Sequence, residues 1–236
     1  MRIVFLPADR PASRTCFEAS IGIITLADDA ALPSWVNTDA LTVAEAERAA
    51  NIRHTLARSQ FERGRLFVRS ILGIILNCRP HLVPISYTPD GKPHLADTSL
   101  GFHFNISHTA GTAILAIGRA ELGVDVETIR ERDCAGLVNR YFATEEQEQF
   151  QKLPNEWKLP GFVRGWTCKE ALLKGTGAGV RDLQNCAVDL DPRSAPKVLR
   201  HTDARSWKLT AWRINEVTVS ALAVATDSEL MMEMVE

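Results

Sequence analysis

The densest concentration of chemistry in this sequence is Gly123-Val124-Asp125-Val126-Glu127. Alternating apolar and acidic residues read as a β-strand. A period of two puts Asp125 and Glu127 on one face and Val124 and Val126 on the other. Two carboxylates so close repel. Either both stand in water at a polar strand end, or a hard divalent cation with oxygen ligands neutralises them. A second cluster is Trp166-Thr167-Cys168-Lys169-Glu170-Ala171-Leu172-Leu173-Lys174. On a helix, Trp166, Glu170 and Lys174 fall at i, i+4 and i+8 on one stripe. Glu170 and Lys174 form either a surface pair, worth a few tenths of a kcal/mol, or part of a site. Trp166 reads as core.

Asn105-Ile106-Ser107-His108 ends an alternating run and leads into Thr109-Ala110-Gly111-Thr112. A hydroxyl, an imidazole and nearby backbone N–H groups can together hold a phosphate. No Gly-x-Ser-x-Gly elbow surrounds Ser107, so it is not read as a nucleophile. Arg48, Arg53, Arg58, Arg63, Arg65 and Arg69 fall within 22 residues that contain one acid, Glu62. Guanidinium groups suit phosphate oxygens and adenine faces; a solvated helix face is the alternative. Nucleic-acid binding is disfavoured, because no surface aromatics interleave with these arginines and the formal net charge is −2. Neither the Walker nor the dinucleotide glycine pattern is present. The six histidines show no metal-ligand spacing. Gly175-x-Gly177-x-Gly179 follows a helix, not a strand, and reads as a flexible exit from it.

The elements that must position these groups can be read in outline. Residues 2–6 and 21–26 are short apolar strands. Residues 42–76 are helical in composition, opened by the capping box Thr42-x-x-Glu45, weakened at Gly64 and closed by Arg79-Pro80. Residues 85–87 lead into the turn Thr88-Pro89-Asp90-Gly91-Lys92-Pro93, which sets Lys92 at a tight bend. Strands follow at 102–107, 112–117 and 122–129. Helical texture returns over 134–174, with breaks near Pro154 and Pro160. Strands close the chain at 187–190, 207–214 and 217–225. Long helix then strands, twice, gives an α+β chain of two similar halves, 1–120 and 121–236. A faint echo supports it: Phe61-x-Arg63-Gly64 with Leu72 recurs as Phe162-x-Arg164-Gly165 with Leu173, 101 residues on.

Composition bounds the rest. The chain has 236 residues, 45% hydrophobic and 24% charged, which is ordinary globular usage. Its longest apolar runs, such as 71–76, fall far short of the roughly 20 residues a bilayer needs. Pro7 and Asp9 cut the N-terminal apolar run too early for a signal-peptide core. Five cysteines without a Cys-x-x-Cys pair argue against a disulfide framework. A cytoplasmic protein, with no membrane partner, is expected.

Taken in order, Gly91-Lys92-Pro93, Phe104-Asn105-Ile106-Ser107-His108, Gly123-Val124-Asp125-Val126-Glu127, Arg140-Tyr141-Phe142-Ala143-Thr144-Glu145 and the block from Trp166 to Lys174 resemble the Sfp-type (group II) 4′-phosphopantetheinyl transferases. The resemblance spans roughly residues 40–180. It implies two α/β halves related by a pseudo-twofold axis, with coenzyme A bound between them. It implies transfer of 4′-phosphopantetheine from coenzyme A to a serine of an apo acyl or peptidyl carrier protein, with 3′,5′-ADP released. It implies Mg²⁺ on Asp125, Glu127 and Glu170, and Lys174 at a phosphate oxygen. Glu170 or Glu145, or a metal-bound water, would take the serine proton. Lys92, Ser107 and His108 would meet the nucleotide phosphates, with Arg48 and Arg53 less securely placed. Glu45 stands where some members carry a further lysine. A hydrophobic and basic patch near residues 110–150 would meet the carrier's acidic helix. One chain would make a complete site as a monomer. Two other readings remain: a Mg²⁺-dependent hydrolase of nucleotide pyrophosphates, and a coenzyme- or carrier-binding protein without catalysis.

Overall fold

The chain is described by a computed structural model covering residues 1–6, 19–26, 30–89, 91–109 and 111–234. Pro7, Asp9, Cys16, Asp90 and Ala110 lie outside the described residues. Strand β1 (Arg2–Phe5) runs parallel beside β2 (Ala19–Thr25). Helices α1 (Val43–Ala50) and α2 (Thr55–Leu76) follow. A short hairpin, β3 (Ile85–Tyr87) and β4 (Pro93–Leu95), leads to β5 (His103–Thr109), β6 (Thr112–Gly118) and β7 (Leu122–Thr128). Three helices come next: α3 (Cys134–Tyr141), α4 (Thr144–Lys152) and α5 (Asn155–Thr176). The small pair β8 (Ala187–Val188) and β9 (Val198–Arg200) precedes β10 (Trp207–Asn215), β11 (Thr218–Ala225) and β12 (Met231–Met234).

These elements form a helix–sheet–sheet–helix stack; its mixed α and β content is what the order of elements predicts. One sheet has the order β12-β1-β2-β6-β5 and the other β10-β11-β7. Period-two alternation divides their side chains. Leu115 and Ile117 of β6 face α2, where they meet Phe67, Val68, Ile71 and Leu72. Ile114 faces the other way and joins Ile3, Ile21, Val124, Val126, Leu222 and Val224 between the sheets. Ala221 and Ala223 of β11 pack against α5 with Phe162, Val163 and Leu172. Each fully buried Leu, Ile, Val or Phe among them stabilises by about 2 kcal/mol. Val124 and Val126 therefore occupy the core face, and Asp125 and Glu127 the face toward α5.

Helix boundaries differ from expectation in three places. The 42–76 segment is two helices, and the break falls at Asn51–His54, where His54 caps α2 through Nδ1 at 3.4 Å from the Ala57 N–H. Gly64 sits within an unbroken α2, where its missing side chain leaves only open space. Pro160 lies inside α5 without ending it. It stands just past the first turn, so its absent N–H forfeits one bond, to the Glu156 carbonyl. The apolar burial of the helix beyond it outweighs that loss. The third break of the sequence reading, Pro154, is the N-cap of α5.

Two glycines let α5 lie directly on β7. A Cβ on Gly123 would collide with the Ala171 carbonyl and the Gly175 backbone, and one on Gly175 would stand 2.6 Å from the Trp207 ring. Gly175 is thus a packing residue and not a flexible exit, while Gly177 ends the helix at φ +81°. The four described cysteines are free.

Each long helix is also anchored by a buried ion pair. Arg69 of α2 donates to Glu45 Oε2 at 2.6 Å and to the Pro80 and Val83 carbonyls at 3.2 Å each. Glu45 in turn closes the Thr42 capping box. Lys169 of α5 donates to Glu146 Oε2 and, at 2.6 Å, to the Cys186 carbonyl. Glu146 also accepts the Ala143 and Val188 N–H groups at 2.8 and 2.9 Å. Both side chains of this second pair are fully buried. Removing one partner of such a pair leaves an uncompensated charge. Lys169→Met should cost about 3–5 kcal/mol of stability, read from the midpoint of urea denaturation. Loss of less than about 1 kcal/mol would show the pair to be energetically idle.

Candidate active site

Strand β7 carries Asp125 onto the face beneath α5, and the close Gly123–Gly175 approach brings the last turns of α5 over it. Lys174 Nζ donates to Asp125 Oδ1 at 2.6 Å and to Ser107 Oγ at 2.9 Å. Ser107 Oγ donates to the same Asp125 Oδ1 at 2.8 Å. Three residues, widely separated in sequence, close into one hydrogen-bonded triangle. Asp125 is 5% exposed, and its second oxygen, Oδ2, is buried without a hydrogen-bond partner.

Glu127 and Glu170 flank this triangle electrostatically. Burial, and then the Asp125 charge, push the Glu127 carboxyl above the usual carboxylate range, against Arg132 and Arg130. Arg132 Nη2 stands 3.8 Å from Glu127 Oε2 and 3.1 Å from the Thr128 carbonyl it donates to. Burial likewise raises Glu170, with Asp125 and Glu127 adding to the shift and Lys174 opposing it. The Asp125 charge thus raises the proton affinity of both glutamates, and Glu127 that of Glu170, the sign of negative charge held in excess.

Among the described residues, no three His, Cys, Asp or Glu side chains come together as a ready-made metal cage. The ammonium of Lys174 stands on Asp125 instead. The donor chemistry nonetheless fits a hard cation: three carboxylates of excess charge and one buried carboxylate oxygen with nothing to accept.

Beside the triangle opens a cleft of about 720 Å³, lined by Lys92, Asn105, Lys174, Gly177 and Arg181. Lys92 reaches across it from the β3–β4 turn. Its Nζ donates to the Lys174 carbonyl and lies 3.5 Å from that of Gly175, so it caps the last turn of α5. Burial lowers its pKa. His108 is exposed on β5 and borders a second cavity of about 310 Å³ with Gln60, Phe61 and Arg65.

The arginine-rich helical stretch divides. Arg48 lies 5.3 Å from the Phe61 ring centroid and Arg65 5.4 Å, so the two flank that ring at the second cavity. Arg53 is exposed. Arg69 is turned inward onto Glu45, and Arg63 donates to the Ala30 carbonyl at 2.7 Å. A uniformly solvated basic face is not what forms. Glu145 is not brought to the carboxylates: it pairs with Arg200 of β9 at 2.8 Å, and that bond holds its carboxyl below the usual range.

Trp166 belongs to the core, as expected, 5.7 Å from Tyr141 and 6.3 Å from Phe142 between ring centroids. Sequence reasoning missed Glu146–Lys169, Asn105 and Arg132. Glu146 follows Ala143 at capping-box spacing, but alanine lacks the hydroxyl by which the box is recognised. Arg132 gives no local signal, because its partner Glu127 lies in the preceding strand.

The sequence of residues 121–226 matches the family described as the 4′-phosphopantetheinyl transferase superfamily. The 4′-phosphopantetheinyl transferase HetI of Nostoc sp. is 37% identical over 172 residues, 71% of each chain. A putative 4′-phosphopantetheinyl transferase of Synechocystis sp. is 28% identical over 175 residues, 72% of this chain and 71% of its own. The 4′-phosphopantetheinyl transferase psf-1 of Bacillus pumilus is 29% identical over 117 residues, about half of each. With that extent of likeness to HetI, the chain belongs to the 4′-phosphopantetheinyl transferase superfamily.

Proposed function

We propose that this protein transfers the 4′-phosphopantetheine moiety of coenzyme A to a serine hydroxyl of an apo acyl or peptidyl carrier protein and releases 3′,5′-ADP. The observation that carries the reading is the convergence of Asp125, Ser107 and Lys174 at the cleft that Lys92 spans. In this reading the half 1–120 supplies nucleotide contacts and the half 121–236 the reacting end. Both come from one chain, so a monomer in the cytoplasm suffices. No helix of the described residues is long and apolar enough to cross a membrane.

Asp125, Glu127 and Glu170 would hold Mg²⁺, which when bound polarises the phosphates and screens charge on the leaving oxygen. With those carboxylates engaged, Lys174 is free to offer its ammonium to a phosphate oxygen as a point charge. Lys92 and His108 serve the nucleotide phosphates, with Arg48 and Arg53 at the outer edge. Ser107 joins them by accepting only, since its one proton is given to Asp125. The nucleophile is the carrier's serine. Glu170, or a water held by the cation, takes its proton, since Glu170 stands on the turn of α5 before Lys174 at the reacting end. Glu145, held by Arg200, is the weaker candidate. Arg130 and Arg140, exposed on the same half, face solvent where an acidic carrier helix would dock.

The decisive assay mixes the protein with coenzyme A, Mg²⁺ and an apo carrier, and weighs the carrier. One added phosphopantetheine is expected, abolished by EDTA and restored by Mg²⁺ or Mn²⁺. Release of 3′,5′-ADP with an unmodified carrier would replace transfer by hydrolysis, and full turnover in excess EDTA would remove the metal.

Glu170→Gln should lower turnover 10²-fold or more, about 2.7 kcal/mol of barrier. It should also change the pH dependence of stability. A carboxyl raised in the folded state binds its proton more tightly there than in the unfolded chain. Its contribution is therefore full at low pH and is lost as pH climbs through the raised value. In chelator, the parent's Tm should fall as pH rises from the ordinary glutamate range toward neutrality, and Glu170→Gln should fall less. Equal slopes would show that Glu170 is not under that strain.

Lys92→Ala should weaken coenzyme A binding by roughly 1.5–3 kcal/mol if its ammonium meets a phosphate. Calorimetry with coenzyme A and its 3′-dephospho analogue reads this. Unchanged affinity for both would confine Lys92 to capping α5.

A further inference from the structure

Strands β5 and β7 are the facing edges of two different sheets, with no backbone ladder between them. An open edge inside a protein leaves backbone groups that need partners. The Glu121 carbonyl and Ile129 N–H bond the β11 side of the sheet. By alternation the even-numbered N–H groups of β7, Val124's among them, point at β5. Every second residue of β5 sends a side chain across the gap, one of them to a backbone group and two to side chains of β7. Asn105 Oδ1 accepts the Val124 N–H at 2.9 Å. Ser107 Oγ donates to Asp125 Oδ1 at 2.8 Å. Thr109 Oγ1 lies 3.3 Å from Thr128 Oγ1. Asn105 is 3% exposed, so this is an interior joint.

We propose that Asn105 is a positioning residue. Its amide oxygen acts as a surrogate backbone carbonyl, reaching across a gap that the β5 main chain does not span. It fixes the depth of β7 against β5 at Val124, the residue before Asp125. Ser107, two residues along β5, then meets Asp125 Oδ1 and leaves the buried Oδ2 without a hydrogen-bond partner. The strand pair thus sets the aspartate by two linked contacts, one to its backbone neighbour and one to its carboxylate. Thr109 holds the same seam further along without touching Asp125. This inference rests on the reading of Asp125 as a cation-binding carboxylate.

The test compares Asn105→Ala, Ser107→Ala and Thr109→Val with the parent, using Mn²⁺ affinity by electron paramagnetic resonance, together with kcat and KM for coenzyme A. Asn105→Ala and Ser107→Ala should each weaken Mn²⁺ binding and lower kcat at least tenfold. The pair combined should do little more than either alone, because both act through one carboxylate. Thr109→Val, a loss of seam polarity only, should keep Mn²⁺ affinity within twofold. If Asn105→Ala does not fold, Ser107→Ala against Thr109→Val still reads the link to Asp125. Unchanged Mn²⁺ affinity in the folded seam variants, or an equal loss in Thr109→Val, overturns the proposal. A parent that binds Mn²⁺ but transfers nothing defeats the transferase reading and leaves the affinity ratios to support positioning. A parent that binds no Mn²⁺ at millimolar concentration overturns the positioning proposal together with the metal site, and carrier modification still decides the transferase reading.

Discussion

The buried contact between Glu146 and Lys169 is the constraint on which the candidate site of this molecule depends. Two charges leave water entirely, and only a complete set of partners makes that tolerable. Glu146 spends both oxygens, on Lys169, on the start of α4 and on β8, while Lys169 also takes the Cys186 carbonyl. The rotation of α5 about its axis is thereby fixed. Glu170, the next residue, and Lys174, one turn on, inherit their direction from it. The same device holds α2 through Glu45 and Arg69. Each cation is the fifteenth residue of a 22-residue helix, and each answers a glutamate at the N-terminus of the short helix before it. Where α5 continues with Glu170, α2 continues with Ser70, which only accepts the Asn37 N–H at 2.9 Å. One architecture carries the candidate site's carboxylate and ammonium on one side and packing on the other.

Legibility in the sequence followed the range of the interaction. Period-two alternation at Val124–Val126 and the capping box at Thr42–Glu45 are local, and both were readable. So was the stripe of Trp166, Glu170 and Lys174, since the helix alone dictates it. The split at Asn51–His54 was not, because Gly64 and the histidine cap give opposite local cues and packing decides. The triangle of Asp125, Ser107 and Lys174 joins two strands and a helix, and no spacing rule reaches across such a distance. Resemblance brought those residues to one site, yet it carried no sign that Ser107 turns its proton to Asp125 or that Lys92 caps α5. Those are properties of side-chain geometry.

The site is held under electrostatic tension. Asp125 keeps one oxygen buried and unanswered, Glu127 and Glu170 are pushed toward neutrality, and Lys174 and Arg132 supply partial relief. Such unrelieved charge is a departure from the rule that buried polar atoms find partners. Departures of this kind cluster where a ligand is meant to complete the set. The surrounding fold is correspondingly over-determined, with glycines allowing β7 and α5 to touch and a polar seam binding β7 to β5.

Strand β12 has a further consequence. Arg2 pairs with Met231 and Phe5 with Met234, so the chain's beginning and its last described residues share one ladder. A growing polypeptide leaves the ribosome from its N-terminus, and β1 must wait for nearly all the rest before gaining that neighbour. Closing so long a loop is slow relative to the local helices and hairpins. The five-stranded sheet is therefore completed only once residues 231–234 have emerged. Until then the outer edge of β1 is open to any extended segment nearby, and truncations that remove residues 231–234 would make that window permanent.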